Sequence, residues 1–224
     1  DLLPNMKRRH QSPQVLVSLR NVAELKKLNG SFGAGLTLTE VTNSEKTPTA
    51  LRQAAAQVAT PHLRNMGTLG GNLCLDTRCN YYNQTYEWRK AIDFCLKKDG
   101  KICWVATASK RCVAVSSTDT APALIALNAS VLLKSSTNER EVKVEVLYRN
   151  DGIEYLSRKP DEILTEVKVP AGWKSTYWKL RRRGSFDFPI LGVAAALRFN
   201  SSNEIEEARV ALGAVASRPF LVEK

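Results

Sequence analysis

Histidine is scarce in this 224-residue chain: the two present, His10 and His62, stand at no ligand spacing, which argues against an imidazole-bound metal centre. No H-E-x-x-H and no nucleophile–base set occurs, so substrate chemistry of the hydrolytic kind has no carrier here. G-x-G-x-x-G and the Gly-Lys-Ser/Thr of a P-loop are both missing, which removes the two common phosphate fingerprints. No apolar run approaches the about eighteen residues that a spanning helix needs, and no signal peptide is seen. Repeats, low-complexity tracts, helix-turn-helix, RRM and zinc-finger patterns are absent as well.

What remains is enough for a folded core. A chain of this length with 43% hydrophobic residues buries roughly 70% or more of its unfolded surface, as one or two domains. The formal charge of +11, from 33 Lys+Arg against 22 Asp+Glu, makes nucleic acid the first partner to weigh. The basic residues are scattered, however, apart from Lys7-Arg8-Arg9 and Arg181-Arg182-Arg183. They read as solvated surface and as counter-charge for anionic ligands and an acidic protein; neither nucleic acid nor membrane is expected as a partner. Five cysteines, an odd number, favour a reducing cytoplasm with thiols kept for metal. A start at Asp1 without methionine and an abrupt end at Lys224 suggest a piece of a longer chain.

The informative stretch runs from Arg64 to Asp119. It opens Arg64-Asn65-Met66-Gly67-Thr68-Leu69-Gly70-Gly71-Asn72. Gly67, Gly70 and Gly71 let the backbone take positive φ and approach a bulky ligand closely. Successive N–H groups in such a turn form a concave anion site, and Thr68 and Asn72 add donors at its rim, which suits a pyrophosphate. An ordinary tight turn accounts for the glycines equally well.

Cys79, Cys95, Cys103 and Cys112 follow as C-x15-C-x7-C-x8-C, with no C-x-x-C pair. Zinc ribbons usually carry such pairs, so zinc is disfavoured but stays open, while four thiolates suit a [4Fe–4S] cluster. Arg78, Lys110 and Arg111 stand beside the outermost cysteines as counter-charge. Tyr81, Tyr82, Tyr86, Trp88, Phe94 and Trp104 crowd the same segment, and apolar walls keep water from a cluster. An aromatic core with buried free thiols is the plainer alternative. Cys74, between Leu73 and Leu75, reads as a buried thiol outside the set.

The pattern Arg-Asn-x-x-Thr-x-Gly-Gly-Asn, followed by Asp-x-x-Pro-x-Leu-x-Ala-Leu from Asp119, resembles the FAD-binding subunits of the xanthine dehydrogenase, or molybdenum hydroxylase, family. The four-cysteine insertion between these halves, with Asn72-Leu73-Cys74-Leu75-Asp76-Thr77-Arg78-Cys79 and Tyr82-Asn83-Gln84, looks like the flavin subunit of 4-hydroxybenzoyl-CoA reductase. The resemblance implies an α+β chain, an FAD-binding domain of the xanthine dehydrogenase/CO dehydrogenase flavoprotein type (PCMH-like), with a cysteine-rich insertion and the start of a C-terminal α+β domain. The expected division is 1–29 as the remainder of a first FAD subdomain, with Asp1-Leu2-Leu3-Pro4 just after a Gly-Gly-Thr phosphate loop. Residues 30–172 form the second subdomain, with the insertion at 79–112, and 173–224 begin the C-terminal domain.

By the same resemblance Thr68, Gly70, Gly71, Asn72, Asp119, Leu164 and Lys179 contact FAD, and Cys79, Cys95, Cys103 and Cys112 hold the [4Fe–4S] cluster. Asp119 would accept hydrogen bonds from the ribityl chain, though capping the helix after it is the plain alternative. Lys179 would lie by the flavin ring and favour its reduced anion; a surface-strand lysine is the alternative. The implied role is electron transfer from a ferredoxin-like donor to a [2Fe–2S] small subunit and a molybdopterin-binding large subunit, for reductive dehydroxylation of 4-hydroxybenzoyl-CoA. A related hydroxylase or reductase of another aromatic or N-heterocycle, and a basic zinc module binding nucleic acid, are the competing readings.

The remaining elements follow from periodicity. A strand is expected at Val15 to Leu19, a helix capped by Asn21 over 22–28, a helix over 49–59 ended by Pro61, a strand at Val113 to Val115, and a helix from Ala121 to Leu127. Strands are expected at 131–134, 141–144, 163–169, 175–182, 189–199 and 205–214, with a turn at Pro170-Ala171-Gly172. His62 is expected to be a structural hydrogen-bonder.

Overall fold

Threonine starts four of the short helices, for one physical reason. Its hydroxyl accepts from the N–H three residues on, which would otherwise lack a partner. Thr37 does this for α2 (Leu38–Asn43) and forms a reciprocal capping box with Glu40; Thr60 caps α4 (Pro61–Arg64), Thr68 caps α5 (Leu69–Leu73) and Thr85 caps α6 (Tyr86–Ala91). The structure is a computed structural model that describes residues 2–223. Asp1, the first residue of the stretch expected just after a phosphate loop, and Lys224 lie outside the described residues.

The helix expected over 49–59 is α3 (Thr49–Ala56), whose Ala50, Leu51, Ala54 and Ala55 are fully buried. Alanines on that face let it pack closely on α2, on α7 (Thr120–Ala126) and on β5 (Lys174–Leu180). Pro61 does not simply end α3: it is the first residue of α4, where its missing N–H costs nothing.

Two antiparallel sheets carry the rest. In the first, β1 (Phe32–Gly33), β4 (Ile163–Lys168), β2 (Ser130–Lys134) and β3 (Glu139–Lys143) lie in that order, with an irregularity in β2 between Leu132 and Leu133. In the second, β5, β6 (Leu191–Phe199), β7 (Ile205–Gly213) and β8 (Phe220–Leu221) form a meander. Helix α7 is buried along its whole length and packs on β6 and β7, which joins its core to that of the first sheet.

Several local expectations fail for identifiable reasons. Val15 to Leu19 is not a strand; Val15 and Val17 are exposed, because among the described residues no neighbouring edge pairs with them. The helix expected over 22–28 shrinks to one 3-10 turn, Ala23–Lys26, with Val22 in the N-cap position. Asn21 does not cap it, although Gly30, at φ +86°, does redirect the chain after it. Val113 to Val115 contributes only a single bridge, Val115 to Arg78. A short helix, α1 (Leu2–Lys7), was not anticipated; it sets Asn5 and His10 against the cysteine insertion.

Candidate functional site

Gly70 and Gly71 lie in helix α5, and Gly67 stands just before its Thr68 cap. Among the described glycines positive φ occurs at Gly30 and Gly172 but not at Gly67, Gly70 or Gly71, so the left-handed turn expected here is not formed. Gly70 is required by space instead: a Cβ there would sit 2.7 Å from the Ala34 Cβ and 3.0 Å from its carbonyl. The N–H groups at the start of α5 are already used. Leu69 donates to Leu36, Gly70 to Ala34, Gly71 to the Thr68 hydroxyl and Asn72 to Thr68 O. An open nest of donors is therefore not what this sequence builds, because Thr68 caps the turn itself. Gly71 stays exposed, and a Cβ on it would meet only the Thr68 hydroxyl, at 3.0 Å.

Asn72 ties this helix to the second polar turn. Its Oδ1 accepts from Thr118 Oγ1 at 2.9 Å, Thr120 N at 3.2 Å and Thr120 Oγ1 at 2.6 Å, all buried. Thr118 Oγ1 also accepts from Ala121 N, doing the capping expected of Asp119. That frees Asp119, which faces the other way. Tyr177 Oη donates to its Oδ1 at 2.7 Å and Lys179 Nζ to its Oδ2 at 3.0 Å, and Lys179 also reaches Gln57 O at 3.1 Å. The side chains of Asp119 and Lys179 are 4% and 1% exposed, which overturns the surface-strand reading of Lys179. Burial pushes the Asp119 carboxyl up, against the pull of the Lys179 ammonium and the Tyr177 hydroxyl; burial and the same carboxylate push the Tyr177 phenol far up.

Two polar groups near this node lack partners. Ser117 Oγ is buried and unpaired among the described residues, and Asn72 Nδ2 makes no hydrogen bond there either. A cavity of about 300 Å³ opens beside Gln57, with Arg64 and Arg181 in its wall. Both guanidiniums are fixed by backbone carbonyls, Arg64 by Val58 and Ala59 and Arg181 by Gly184 and Ser185. Leu164 is buried in β4, on the other sheet from Lys179. His62 is exposed and its side chain makes no hydrogen bond among the described residues, so the structural role expected of it is not found.

The four cysteines of the insertion line one small cavity, about 10 Å³ in volume, walled by Tyr81, Tyr82 and Trp104. Cys95, Cys103 and Cys112 are buried, and all are free thiols. Local geometry places each. Cys79 N donates to Asn83 Oδ1 at 2.9 Å. Cys95 sits in a tight turn between left-handed Asp93 and Phe94 on one side and Asp99 on the other, with Gly100 N donating to Cys95 O. Cys112 Sγ accepts from Ala114 N at 3.4 Å. Burial raises the Cys112 thiol, and Cys103 and Cys79 raise it further, opposed by the Ala114 N–H and Lys97. Among the described residues no three His, Cys, Asp or Glu side chains gather closely enough to share one metal ion.

The cation in this cavity wall is not one of the three flanking the cysteines. Arg78 stacks over Phe188 at 3.9 Å and Arg111 reaches Asn150 O. Lys97 lines the cavity, its Nζ bonded to Asp76 Oδ1 at 2.8 Å and Thr77 Oγ1 at 2.7 Å. Asp76 also accepts from Tyr82 Oη at 3.0 Å and Asn5 Nδ2 at 3.2 Å. Arg89 is wholly buried, its Nη2 donating to Arg8 O at 2.9 Å. Sequence reasoning missed Asp76, Lys97, Ser117 and Tyr177. Only Tyr177 carried a signal, since it alternates with Lys179 on one face of β5.

Residues 1–172 match the family model described as FAD binding domain in molybdopterin dehydrogenase. The aldehyde oxidoreductase FAD-binding subunit of Escherichia coli K12 is 32% identical over 185 residues, covering 77% of this chain and 56% of that protein. The glyceraldehyde dehydrogenase medium chain of Sulfolobus acidocaldarius is 26% identical, covering 98% of this chain and 66% of that one. In structure, reconstituted CO dehydrogenase from Oligotropha carboxidovorans superposes with a TM-score of 0.71 at 23% identity, covering 98% of this chain and 66% of that chain. The chain thus spans 56–66% of the length of these relatives. No helix among the described residues is long and apolar enough to cross a membrane.

Proposed function

Because the chain belongs to the family of FAD-binding domains of molybdopterin dehydrogenases, we propose that it is the flavin subunit of a molybdenum-containing oxidoreductase and that its four-cysteine insertion carries a [4Fe–4S] cluster. The observation that carries the second half is the gathering of Cys79, Cys95, Cys103 and Cys112 on one aromatic-walled cavity. A mononuclear zinc site needs its ligands on one ion, whereas a cubane spreads four thiolates over four irons.

FAD and the cluster would supply the redox chemistry when bound, the flavin storing up to two electrons and the cluster passing them singly. The chain's own residues bind and orient. Asn72 Nδ2 and Ser117 Oγ are donors left without partners, and Asp119 and Lys179 form the charged pair beside them, which suits the hydroxyls of a ribityl chain. Thr68, Gly70 and Gly71 present a short helix start whose Gly71 is exposed, with only the Thr68 hydroxyl near it, which leaves room for a phosphate ester. Leu164 would contribute apolar packing. Tyr81, Tyr82 and Trp104 keep water from the thiol cavity, and Lys97 holds a positive charge against it.

Partners follow from the same reading: a [2Fe–2S] small subunit, a molybdopterin-binding large subunit, and an acidic low-potential donor such as a ferredoxin, in a reducing cytoplasm that suits five free thiols. The reaction that fits best is removal of the phenolic hydroxyl of 4-hydroxybenzoyl-CoA, which consumes two electrons and two protons and releases water. Substrate contacts would lie on the large subunit. The nucleic-acid reading loses ground because part of the basic excess, Arg89, Lys97 and Lys179 among it, is buried and bonded inside.

An anaerobic visible spectrum with iron, sulfide and FAD quantitation tests the proposal. About four irons, about four sulfides and one flavin per chain are expected. Zinc in place of iron would overturn the cluster, and absence of flavin would overturn the cofactor assignment.

A further inference from the structure

Resting on the cluster reading above, we propose that Gly152 is the positioning residue of the four-thiol site and that Lys97 is the clamp that holds it. Gly152 lies outside the cysteine insertion, and no motif points to it. Its N–H donates to Cys112 O at 2.9 Å. Its carbonyl accepts from Thr77 Oγ1 at 2.5 Å and from Lys97 Nζ. Thr77 stands two residues before Cys79, and Lys97 two residues after Cys95. The backbone of one residue therefore gathers three of the four thiol-bearing segments.

The space around that peptide explains why glycine occupies it. A Cβ on residue 152 would lie 2.6 Å from Cys112 Sγ and 2.9 Å from both the Cβ and the backbone N of Ala114. Ala114 N is the group that donates to the Cys112 sulfur, so both the sulfur and its hydrogen-bond donor are seated against a bare backbone. Gly152 does not have positive φ, so the demand is steric, not conformational. The turn is fixed from the far side, where Asp151 Oδ1 accepts from Ile153 N at 2.7 Å and Glu154 N at 3.1 Å.

Lys97 fits the role of clamp because nothing about it is free to move. Its side chain is 6% exposed and pairs with Asp76, and its ammonium sits 4.8 Å from the Tyr82 ring centroid and 5.4 Å from that of Tyr155. Of this pair, Lys97 lines the thiol cavity and Asp76 stands behind it.

The test is per-cysteine alkylation of the metal-free full chain by iodoacetamide, read by mass spectrometry, followed by anaerobic reconstitution with ferrous iron and sulfide. In Gly152→Ala the displaced Cys112 thiol is expected to react about tenfold faster while Cys74, outside the site, keeps its rate. Iron per chain should fall by more than about half with FAD content unchanged. A parental Cys112 rate, or parental iron content, in this variant overturns the assignment. Should Cys74 accelerate together with Cys112, the substitution has opened the fold, and Lys97→Met then decides: selective acceleration of Cys112 upholds the clamp, and a parental rate overturns it. If the parent chain takes up no iron, the cluster reading falls, while the alkylation rates still judge the frame around Cys112.

Discussion

Replacing Lys179 by methionine should destabilise the fold in a pH-dependent way. The substitution keeps the apolar stem and removes the ammonium 3.0 Å from Asp119 Oδ2, leaving a carboxylate that is 4% exposed with only the Tyr177 hydroxyl as partner. Removing one member of a buried pair costs about 3–5 kcal/mol, and the retained hydroxyl places this case near about 3. At roughly 2–4 °C per kcal/mol for a chain of this size, the melting temperature falls by roughly 6–12 °C. Burial already pushes the Asp119 carboxyl up, and losing Lys179 removes the main opposing influence. A folded value raised above the unfolded one contributes stability that is present below the unfolded pKa and lost as pH rises through the folded one. The deficit of Lys179→Met should therefore be larger at pH 8 than at pH 5. Urea unfolding at both pH values measures it, and Asp119→Asn in the same background should recover roughly half the loss, since no charge is then buried. A deficit under about 0.5 kcal/mol at pH 8, or one that does not change with pH, would refute the account, because it lies within the scatter of surface substitutions.

Other changes have equally defined outcomes. Cys95→Ser should abolish the iron–sulfur absorbance with flavin largely retained; joint loss of both with the fold would make the insertion structural. Gly70→Ala forces a Cβ to 2.7 Å from Ala34, so chemical denaturation should show a loss of about 1–3 kcal/mol, and parental stability would contradict the close packing. His10, stacked 4.1 Å from Tyr82, is held neutral by burial and by Arg89, with its pKa lowered to about 4. A lowered histidine contributes destabilisation as pH falls from its unfolded value near 6.5 toward about 4, so the parent should lose more stability between pH 7 and 4.5 than His10→Gln; equal losses would show that His10 is not the group responsible.

The strands were legible wherever alternation and partners coincide. In β6 the even positions Gly192, Ala194 and Ala196 are buried and the odd ones less so, and both flanking strands supply edges along its length. Val15 to Leu19 shows the limit: it is apolar, yet a strand is a pair property, and no described edge meets it. Helix α3 was legible because alanine and leucine need no tertiary help to favour a helix. The glycine stretch was misread because glycine permits positive φ without demanding it, and the observed demand comes from Ala34, distant in sequence. Asp119 was legible as a functional candidate, whereas its partner Tyr177, 58 residues away, was marked only by its alternation with Lys179, and nothing local marks the fold that joins them to Asp119. Lys97 and Gly152, 55 residues apart, were invisible for the same reason.

How the insertion can be accommodated at all follows from its neck. Arg78 and Val115 exchange two backbone hydrogen bonds of 2.8 Å, so the chain leaves and returns at one point. Closing a loop there costs an entropy that grows only slowly with its length, which lets a long excursion be carried without straining what lies below the neck. Below it, Asn72 still holds Thr118 and Thr120, joining the two halves of the proposed flavin site as if they were contiguous. Asn72 and Cys79 are seven residues apart, and an extended chain spans at most about 3.6 Å per residue, so the first thiol lies within roughly 25 Å of the helix that carries Asn72. Covalent geometry alone thus keeps the thiol cavity close to the Asn72–Asp119 node, and the Asp76 carboxylate, bonded to Asn5, Tyr82 and Lys97, fixes the orientation that the neck leaves free.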